Sequence, residues 1–110
     1  MSNRKANYAE FWPFYLQEHA RSETRTLHYI GTGLVITIAL IAVATQNWLL
    51  LIAMPLAGYF FAWVSHAFVE KNKPATFTHP LWSLLSDFRM FFLWITGRLG
   101  PELKKAGVET

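Results

Sequence analysis

A long stretch without formal charge dominates the pattern of the chain. Between Arg25 and Glu70 no residue is Asp, Glu, Lys or Arg, and most positions are apolar. A polar break at 46–47 divides the stretch into segments 27–45 and 48–69. As helices these segments would be roughly 28 and 33 Å long, close to the hydrocarbon thickness of about 30 Å. The pattern predicts two antiparallel membrane spans whose outer ends return to the same membrane face.

The segments on either side of this hairpin have weaker patterns. Apolar residues recur at helical spacing over 8–20, which predicts a short amphipathic helix in the membrane interface. Segment 81–97 is apolar but contains Asp87 and Arg89, which favours an amphipathic or re-entrant helix over a third span. The remaining segments are predicted as a loop at 71–80 and a polar tail at 98–110.

These elements predict an all-α integral membrane protein with a single domain over residues 1–110. Hydrophobic residues make up 53% of the chain, and its five Trp and nine Phe suit the headgroup region. The net charge of +3 comes from basic residues scattered among aromatics, which indicates anionic lipid and not nucleic acid as partner. Lys71, Lys73 and the basic residues before residue 26 place the histidine-bearing face in the cytoplasm, by the positive-inside rule. A bacterial inner membrane is expected, with the endoplasmic reticulum as the eukaryotic counterpart.

All four histidines lie at the two ends of the charge-free stretch. His28 and His66 are just inside it, and His19 and His79 are just outside. In a hairpin they would share one membrane face, and imidazole is the commonest protein ligand for transition metals. Because the chain has no cysteine, any metal must be held by nitrogen and oxygen. The pattern therefore predicts a metal site at a membrane surface.

The spacing of these residues leaves alternatives open. His66 and Glu70 are four residues apart and share a helix face. They could be two metal ligands, or a ligand and the carboxylate that orients it. Alternatively, both side chains face water. His19 and His28 are half a turn out of phase on a continuous helix, so they meet only if the chain bends within 21–25. Otherwise both are residues of the membrane interface. His79 gains interest only because it would emerge on the same face.

Several blocks of sequence resemble a known family. They are FYLQEH at 14–19, RTLHYIGT at 25–32, GYFFAWVSHAFVE at 58–70, NKPATFTHPLWSL at 72–84, and Asp87-Phe88. The block P-A-T-F-x-H-P-x-W-S is the most specific of them. The chain thereby resembles small membrane proteins named for a fungal 2-hydroxy fatty acid (2-hydroxypalmitate) dioxygenase, from about residue 11 to residue 97.

The resemblance implies an iron(II)-dependent membrane enzyme that consumes dioxygen and shortens 2-hydroxy fatty acids by one carbon. It also implies the catalytic metal ligands, which are His19, His28, His66 and His79. Ser65 and Thr24 stand where the family pattern has Gly and Asn, so packing or substrate choice is expected to differ from the fungal case.

The other predicted site residues would serve the substrate or the histidines. A 2-hydroxy acid can chelate iron through its hydroxyl and carboxylate, and Arg21 or Arg25 is predicted to pair with that carboxylate. Glu70, Asn72 and Asp87 are predicted to orient the histidines, or else to cap a helix or carry surface charge. The predicted partners are the fatty acyl substrate, dioxygen and membrane lipid; the oligomeric state is open and includes a homo-oligomer.

Two other functions fit the same pattern. One is a non-catalytic membrane hairpin for scaffolding or lipid sensing, with interfacial histidines. The other is a zinc-dependent membrane hydrolase. The metal content of the protein separates both from the dioxygenase.

Overall fold

The fold is helical throughout the part of the chain that the computed structural model describes, residues 5–73 and 78–108. The helices are α1 (Tyr8–Gln17), α2 (Ser22–Thr45), α3 (Leu50–Val64), a π-helical continuation of α3 (Ser65–Glu70), α4 (Pro80–Ile95) and α5 (Leu99–Lys105). The predicted all-α fold class is confirmed.

α2 and α3 form the predicted antiparallel hairpin. α2 ends at Thr45, and the left-handed backbone of the next residue, Gln46 (φ 55°), lets the chain reverse. Two glycines then allow the helices to approach closely. A Cβ on Gly31 would lie 3.1 Å from the Cβ of Phe61, and one on Gly58 would lie 3.2 Å from Cγ2 of Val35. Small residues at such a contact are typical of helices that pack within a membrane.

Both helices of the hairpin are long and apolar enough to cross a membrane. α2 has 24 residues with a mean hydropathy of 2.0, and α3 with its continuation has 21 residues with a mean hydropathy of 1.5. Only 28% and 17% of their most apolar windows are buried within the chain. The core helix of a soluble protein would be mostly buried. The apolar surface of the hairpin instead points outward, where lipid would cover it.

Several helix ends differ from the predicted ones. α1 ends at Gln17 and not at residue 20. α2 begins at Ser22 and not at residue 27, because the polar residues before the apolar segment form its first turn. Glu23 lies in that turn, where an acidic side chain interacts favourably with the helix dipole. A prediction from hydropathy alone starts the helix at the first apolar residue and so omits this polar turn.

The predicted polar tail is wrong for α5, which is an ordered helix. Leu99, Leu103 and Ala106 are buried at helical spacing, and α5 packs against both α1 and α4. The Trp12 indole N–H donates to Glu102 Oε1 at 3.1 Å, and Gln17 Nε2 donates to the carbonyl of Ala106 at 2.9 Å. α5 and its C-cap therefore hold the middle and the C-terminal end of α1.

An aromatic core outside the hairpin joins α1, α4 and α5. Phe11, Tyr15 and Leu16 of α1 and Met90 of α4 are completely buried within the chain. The apolar face of α1 thus contacts other helices, whereas the sequence pattern had assigned that face to the membrane interface. This docking places the residue that follows α1, His19, next to the open end of the hairpin.

The two charges in the middle of α4 both have partners in the protein. The Arg89 guanidinium lies 4.1 Å from the centroid of the Trp12 ring and 3.4 Å from Glu102 Oε1. Asp87 faces the hairpin, where it contacts His28. These charges therefore join α4 to its neighbours, and they explain why the segment is a poor candidate for a lipid-facing span.

Candidate metal centre

Three histidines from distant parts of the chain meet at the open end of the hairpin. One ring nitrogen from each of His19, His28 and His66 lies within 4.8 Å of the other two. The three side chains are 1%, 5% and 1% exposed. The rings are also close, with centroids 4.3 Å apart for His19 and His28 and 4.5 Å apart for His19 and His66.

The turn between α1 and α2 brings His19 and His28 together. Because α1 ends at Gln17, His19 lies in the turn and only His28 lies in α2, so their nine-residue separation does not set them on opposite faces of one helix. Arg25 stabilises this turn, since its Nη1 donates to the carbonyls of His19 and Ala20, both at 2.8 Å. Arg25 is 8% exposed, so these charge-assisted bonds form away from water.

The π-helical end of α3 positions His66. A π-helix bonds each amide to the carbonyl five residues earlier, and such wide turns are frequent at functional sites. The segment ends at Glu70 and is followed by Lys71, whose backbone is left-handed (φ 61°); the Asn72 N–H then donates to the carbonyl of His66 at 2.9 Å. This turn returns the Asn72 side chain to the ring of His66.

Each of the three rings has an acceptor on its outer nitrogen. His19 Nδ1 lies 2.6 Å from the carbonyl of Tyr15, and His66 Nδ1 lies 2.6 Å from Asn72 Oδ1. His28 Nδ1 is 3.5 Å from Asp87 Oδ1, a longer contact. A carbonyl can only accept, so His19 must carry its proton on Nδ1 and direct the lone pair of Nε2 inward.

The orientation of the Asn72 amide follows from Glu18. Asn72 Nδ2 donates to the carbonyl of Glu18 at 3.2 Å and to its Oε2 at 2.9 Å. With both protons of the amide nitrogen used there, Oδ1 faces His66 and requires a proton on His66 Nδ1. Burial raises the pKa of Glu18, while this hydrogen bond opposes the shift.

The three Nε2 atoms, which face away from these acceptors, are arranged as the ligands of a cation would be. Nε2 of His19 and Nε2 of His66 are 3.1 Å apart, and Nε2 of His28 is buried without a hydrogen-bond partner among the described residues. Facing lone pairs repel, and an orphaned buried nitrogen is unfavourable. Burial and the neighbouring His28 and His66 rings hold the pKa of His19 well below its usual range, so its ring is neutral and able to ligate. Three imidazoles suit a borderline divalent cation such as iron(II) or zinc, so the residues fit the predicted metal.

Comparison with known proteins identifies the family. A family model described as 2-hydroxy-palmitic acid dioxygenase Mpo1-like matches residues 5–99. The chain belongs to the Mpo1-like family. No curated protein and no solved structure matches it.

In this Mpo1-like protein the fourth histidine lies apart from the other three. His79 precedes α4 and packs against Phe11 and Trp82, with ring centroids 4.8 and 5.7 Å away. Its Nε2 accepts from the Lys5 backbone N–H at 2.9 Å, and its Nδ1 lies 2.7 Å from Thr78 Oγ1. Both nitrogens are thus engaged in the described arrangement, and a role for His79 as a ligand stays a prediction.

The predicted orienting residues of this Mpo1-like chain have different placements. Asn72 and Asp87 face the outer nitrogens of His66 and His28. Glu70 instead accepts from the Arg21 backbone N–H, which joins the end of the hairpin to the α1–α2 turn. The Arg21 side chain is 60% exposed and lies 3.5 Å from Glu23. The role of Arg21 and Arg25 as partners of a substrate carboxylate stays a prediction.

Two residues of the site were missed by the sequence analysis. Tyr15 contributes the carbonyl that fixes the His19 tautomer, and its hydroxyl donates to Asp87. Burial, and then the adjacent Asp87, raises the pKa of Tyr15 well above its usual value, so the hydroxyl keeps its proton. Glu18 orients Asn72. The four-residue spacing of Tyr15 and His19 could have indicated their contact. No sequence pattern indicates the contact of Glu18 with Asn72, which lies beyond the hairpin.

The two departures from the family pattern lie beside the centre. Ser65 is completely buried before His66, and its Oγ donates to the carbonyl of Ala62 at 2.7 Å. Thr24 is also completely buried, and its Oγ1 has no hydrogen-bond partner among the described residues. Nothing in the structure explains the hydroxyl at position 24.

Proposed function

We propose that this chain is a membrane dioxygenase that uses iron(II) to shorten 2-hydroxy fatty acids by one carbon. The observation that carries the proposal is the convergence of three buried imidazoles, each facing an acceptor on its outer nitrogen. The family description, a 2-hydroxy-palmitic acid dioxygenase, supports the reaction and the substrate class.

The proposed reaction balances without a further reductant. A 2-hydroxy acid and dioxygen give the acid one carbon shorter, carbon dioxide and water. The bond between carbons 1 and 2 breaks, carbon 2 becomes the new carboxyl carbon, and the electrons lost by both carbons reduce dioxygen. Iron(II) held by the three histidines would supply the redox chemistry that dioxygen requires.

The chain's own residues would bind, orient and exclude water. His19, His28 and His66 would hold the metal through Nε2, while Tyr15 and Asn72 keep the protons on Nδ1. Such outer contacts fix both the direction and the basicity of a ligand. The near-complete burial of the three rings keeps bulk water from the reacting atoms.

Dioxygen uptake tests the proposal directly. The detergent-purified protein is loaded anaerobically with iron(II) and given 2-hydroxypalmitate, and the product is analysed by mass spectrometry. We expect uptake of one dioxygen per substrate and an acid one carbon shorter. Tight iron binding without uptake on any 2-hydroxy acid would contradict the proposed activity.

Single variants test the metal site independently of turnover. His19→Ala, His28→Ala and His66→Ala are each expected to lose stoichiometric iron. The control Thr26→Ala changes an exposed residue two positions from His28 and should retain it. His79→Ala tests the fourth predicted ligand: loss of iron would assign His79 to the site, and retained iron would assign it to the contacts that its nitrogens make with Lys5 and Thr78. Iron retained by all three ligand variants would refute the site.

Zinc is the second candidate because the same three-imidazole set occurs in catalytic zinc sites. Metal analysis of protein purified without added metal, followed by competition between iron(II) and zinc, separates a hydrolase from a dioxygenase.

A scaffolding or lipid-sensing hairpin is disfavoured by the burial of the three rings, since interfacial histidines would face headgroups.

A further inference from the structure

A cavity extends from the metal centre into the apolar part of the molecule. It has a volume of about 290 Å³ and is lined by residues of α2, α3 and α4. Pockets that bind small molecules typically have about 300–1,000 Å³, so this cavity is close to the lower limit of that range. It adjoins the three-histidine site at His28, which is one of its lining residues.

The cavity lies along one face of α2. Its lining residues His28, Thr32 and Val35 follow each other at spacings of four and three, which places them on one side of the helix. At 1.5 Å per residue, His28 and Val35 are separated by about 10 Å along the helix axis. The cavity therefore leads from the metal centre toward the middle of the predicted span.

Polarity changes along the cavity. His28 and Asp87 line the end next to the metal centre, whereas Val35, Met54 and Phe88 supply apolar surface. Gly58 also lines the cavity and packs closely against Val35, since a Cβ on Gly58 would lie 3.2 Å from Cγ2 of Val35. A ligand that fits must have one polar end and one apolar end.

We propose that this cavity binds a single acyl chain, with its carboxyl end at His28 and its methyl end toward Val35 and Met54. The proposal rests on the proposed function for the identity of the polar end, and it adds the location of the substrate chain. Val35 then limits chain length. Each methylene that no longer fits lowers kcat/KM about fourfold, from about 0.8 kcal/mol per buried CH₂.

A matched pair of substitutions on α2 tests the role of Val35. Val35→Phe narrows the cavity, while the control Val43→Phe makes the same change at a residue that is 63% exposed. Both variants are assayed for dioxygen uptake on 2-hydroxy acids from 2-hydroxydecanoate to 2-hydroxystearate. Val35→Phe should shift the preference to shorter chains, and Val43→Phe should leave it unchanged. Identical chain-length profiles for both variants would overturn the proposal.

A labelling experiment separates this proposal from the proposed function. A non-hydroxylated fatty acid with a diazirine near its methyl end is photolysed with the protein in nanodiscs, and the adducts are mapped by mass spectrometry. We expect an adduct at Met54 or Val35 that excess 2-hydroxypalmitate removes. That adduct, in a protein without dioxygen uptake, would support acyl binding and contradict the enzyme. Adducts restricted to lipid-facing residues would overturn the acyl site and leave the enzyme proposal standing.

Discussion

The amide of Asn72 determines the tautomer of His66 and the direction in which its Nε2 points. Its nitrogen is used by Glu18, and its oxygen holds the Nδ1 proton of His66. One side chain thus links the end of α1, the end of the hairpin and a candidate ligand. A residue that orients a ligand in this way can be removed without removing the ligand itself, which makes its contribution measurable.

Asn72→Ala should lower the affinity for iron(II) by about 10- to 100-fold, the usual effect of removing a group that orients a ligand. Loss of the acceptor frees His66 to exchange tautomers and to rotate. Asn47→Ala, the same substitution at the exposed hairpin turn, is the control. The affinity is measured by competition with a chelator, and equal affinities in the two variants would show that Asn72 does not orient His66.

Two elements differ from regular amphipathic helices, and each has a separate consequence. The π-helical end of α3 changes the register between His66 and Asn72. α5 supplies buried leucines that cover α1. The first element affects the geometry of the site, and the second affects the stability of the helix that precedes His19.

Deletion of Ala67 should abolish stoichiometric iron binding while the protein remains helical. Ala67 is an exposed residue in the π-helical segment, and removing it shortens the connection from His66 to Asn72 by one residue. Ala67→Leu keeps the register and should retain iron. Metal analysis and circular dichroism give the two readouts. Full iron content in the deletion variant would mean that the wide turn is not needed for the site.

Leu103→Ala should destabilise the protein by about 2–5 kcal/mol, the range for truncating a buried leucine. Leu103 is 4% exposed and packs in the core formed with α1 and α4. The neighbouring Lys104→Ala is exposed and should have little effect. Thermal unfolding in detergent compares the two. Equal melting temperatures would contradict the packing of α5.

At the scale of the whole molecule, the hairpin determines which features share a membrane face. The turn at Gln46 lies at one end, and the histidines, with Lys71 beyond the last turn of α3, lie at the other. The sequence predicts that the histidine end faces the cytoplasm. The absence of cysteine from the chain allows this to be tested with single introduced cysteines.

Asn47→Cys in intact bacterial cells should react with a membrane-impermeant maleimide, because the hairpin turn is predicted to face away from the cytoplasm. Lys71→Cys should react only after the cells are permeabilised. Both positions are exposed, so access to the reagent depends on the membrane side alone. The reverse pattern would invert the predicted orientation, and labelling of both positions in intact cells would argue against a spanning hairpin.

Sequence reasoning predicted the features that depend on local patterns. The absence of charge between Arg25 and Glu70 was enough to predict the hairpin. The position of the histidines at its ends was enough to predict that His19, His28 and His66 meet. It could not place His79, because the position of this ring depends on packing against Phe11 and Trp82. It also overlooked α5, whose leucines are too few for a clear periodicity.

The dependence of α1 on α5 affects how the protein is made. During synthesis the hairpin emerges before the residues of α4 and α5, so His28 and His66 are present while α1 still lacks the helices that bury its apolar face. His19 reaches its final place only when those last helices dock. The three imidazoles are therefore expected to converge only after α4 and α5 have been synthesised. A chain truncated before α4 would contain all three histidines but would lack the helices that place His19, and it is expected to escape loading with a reactive metal.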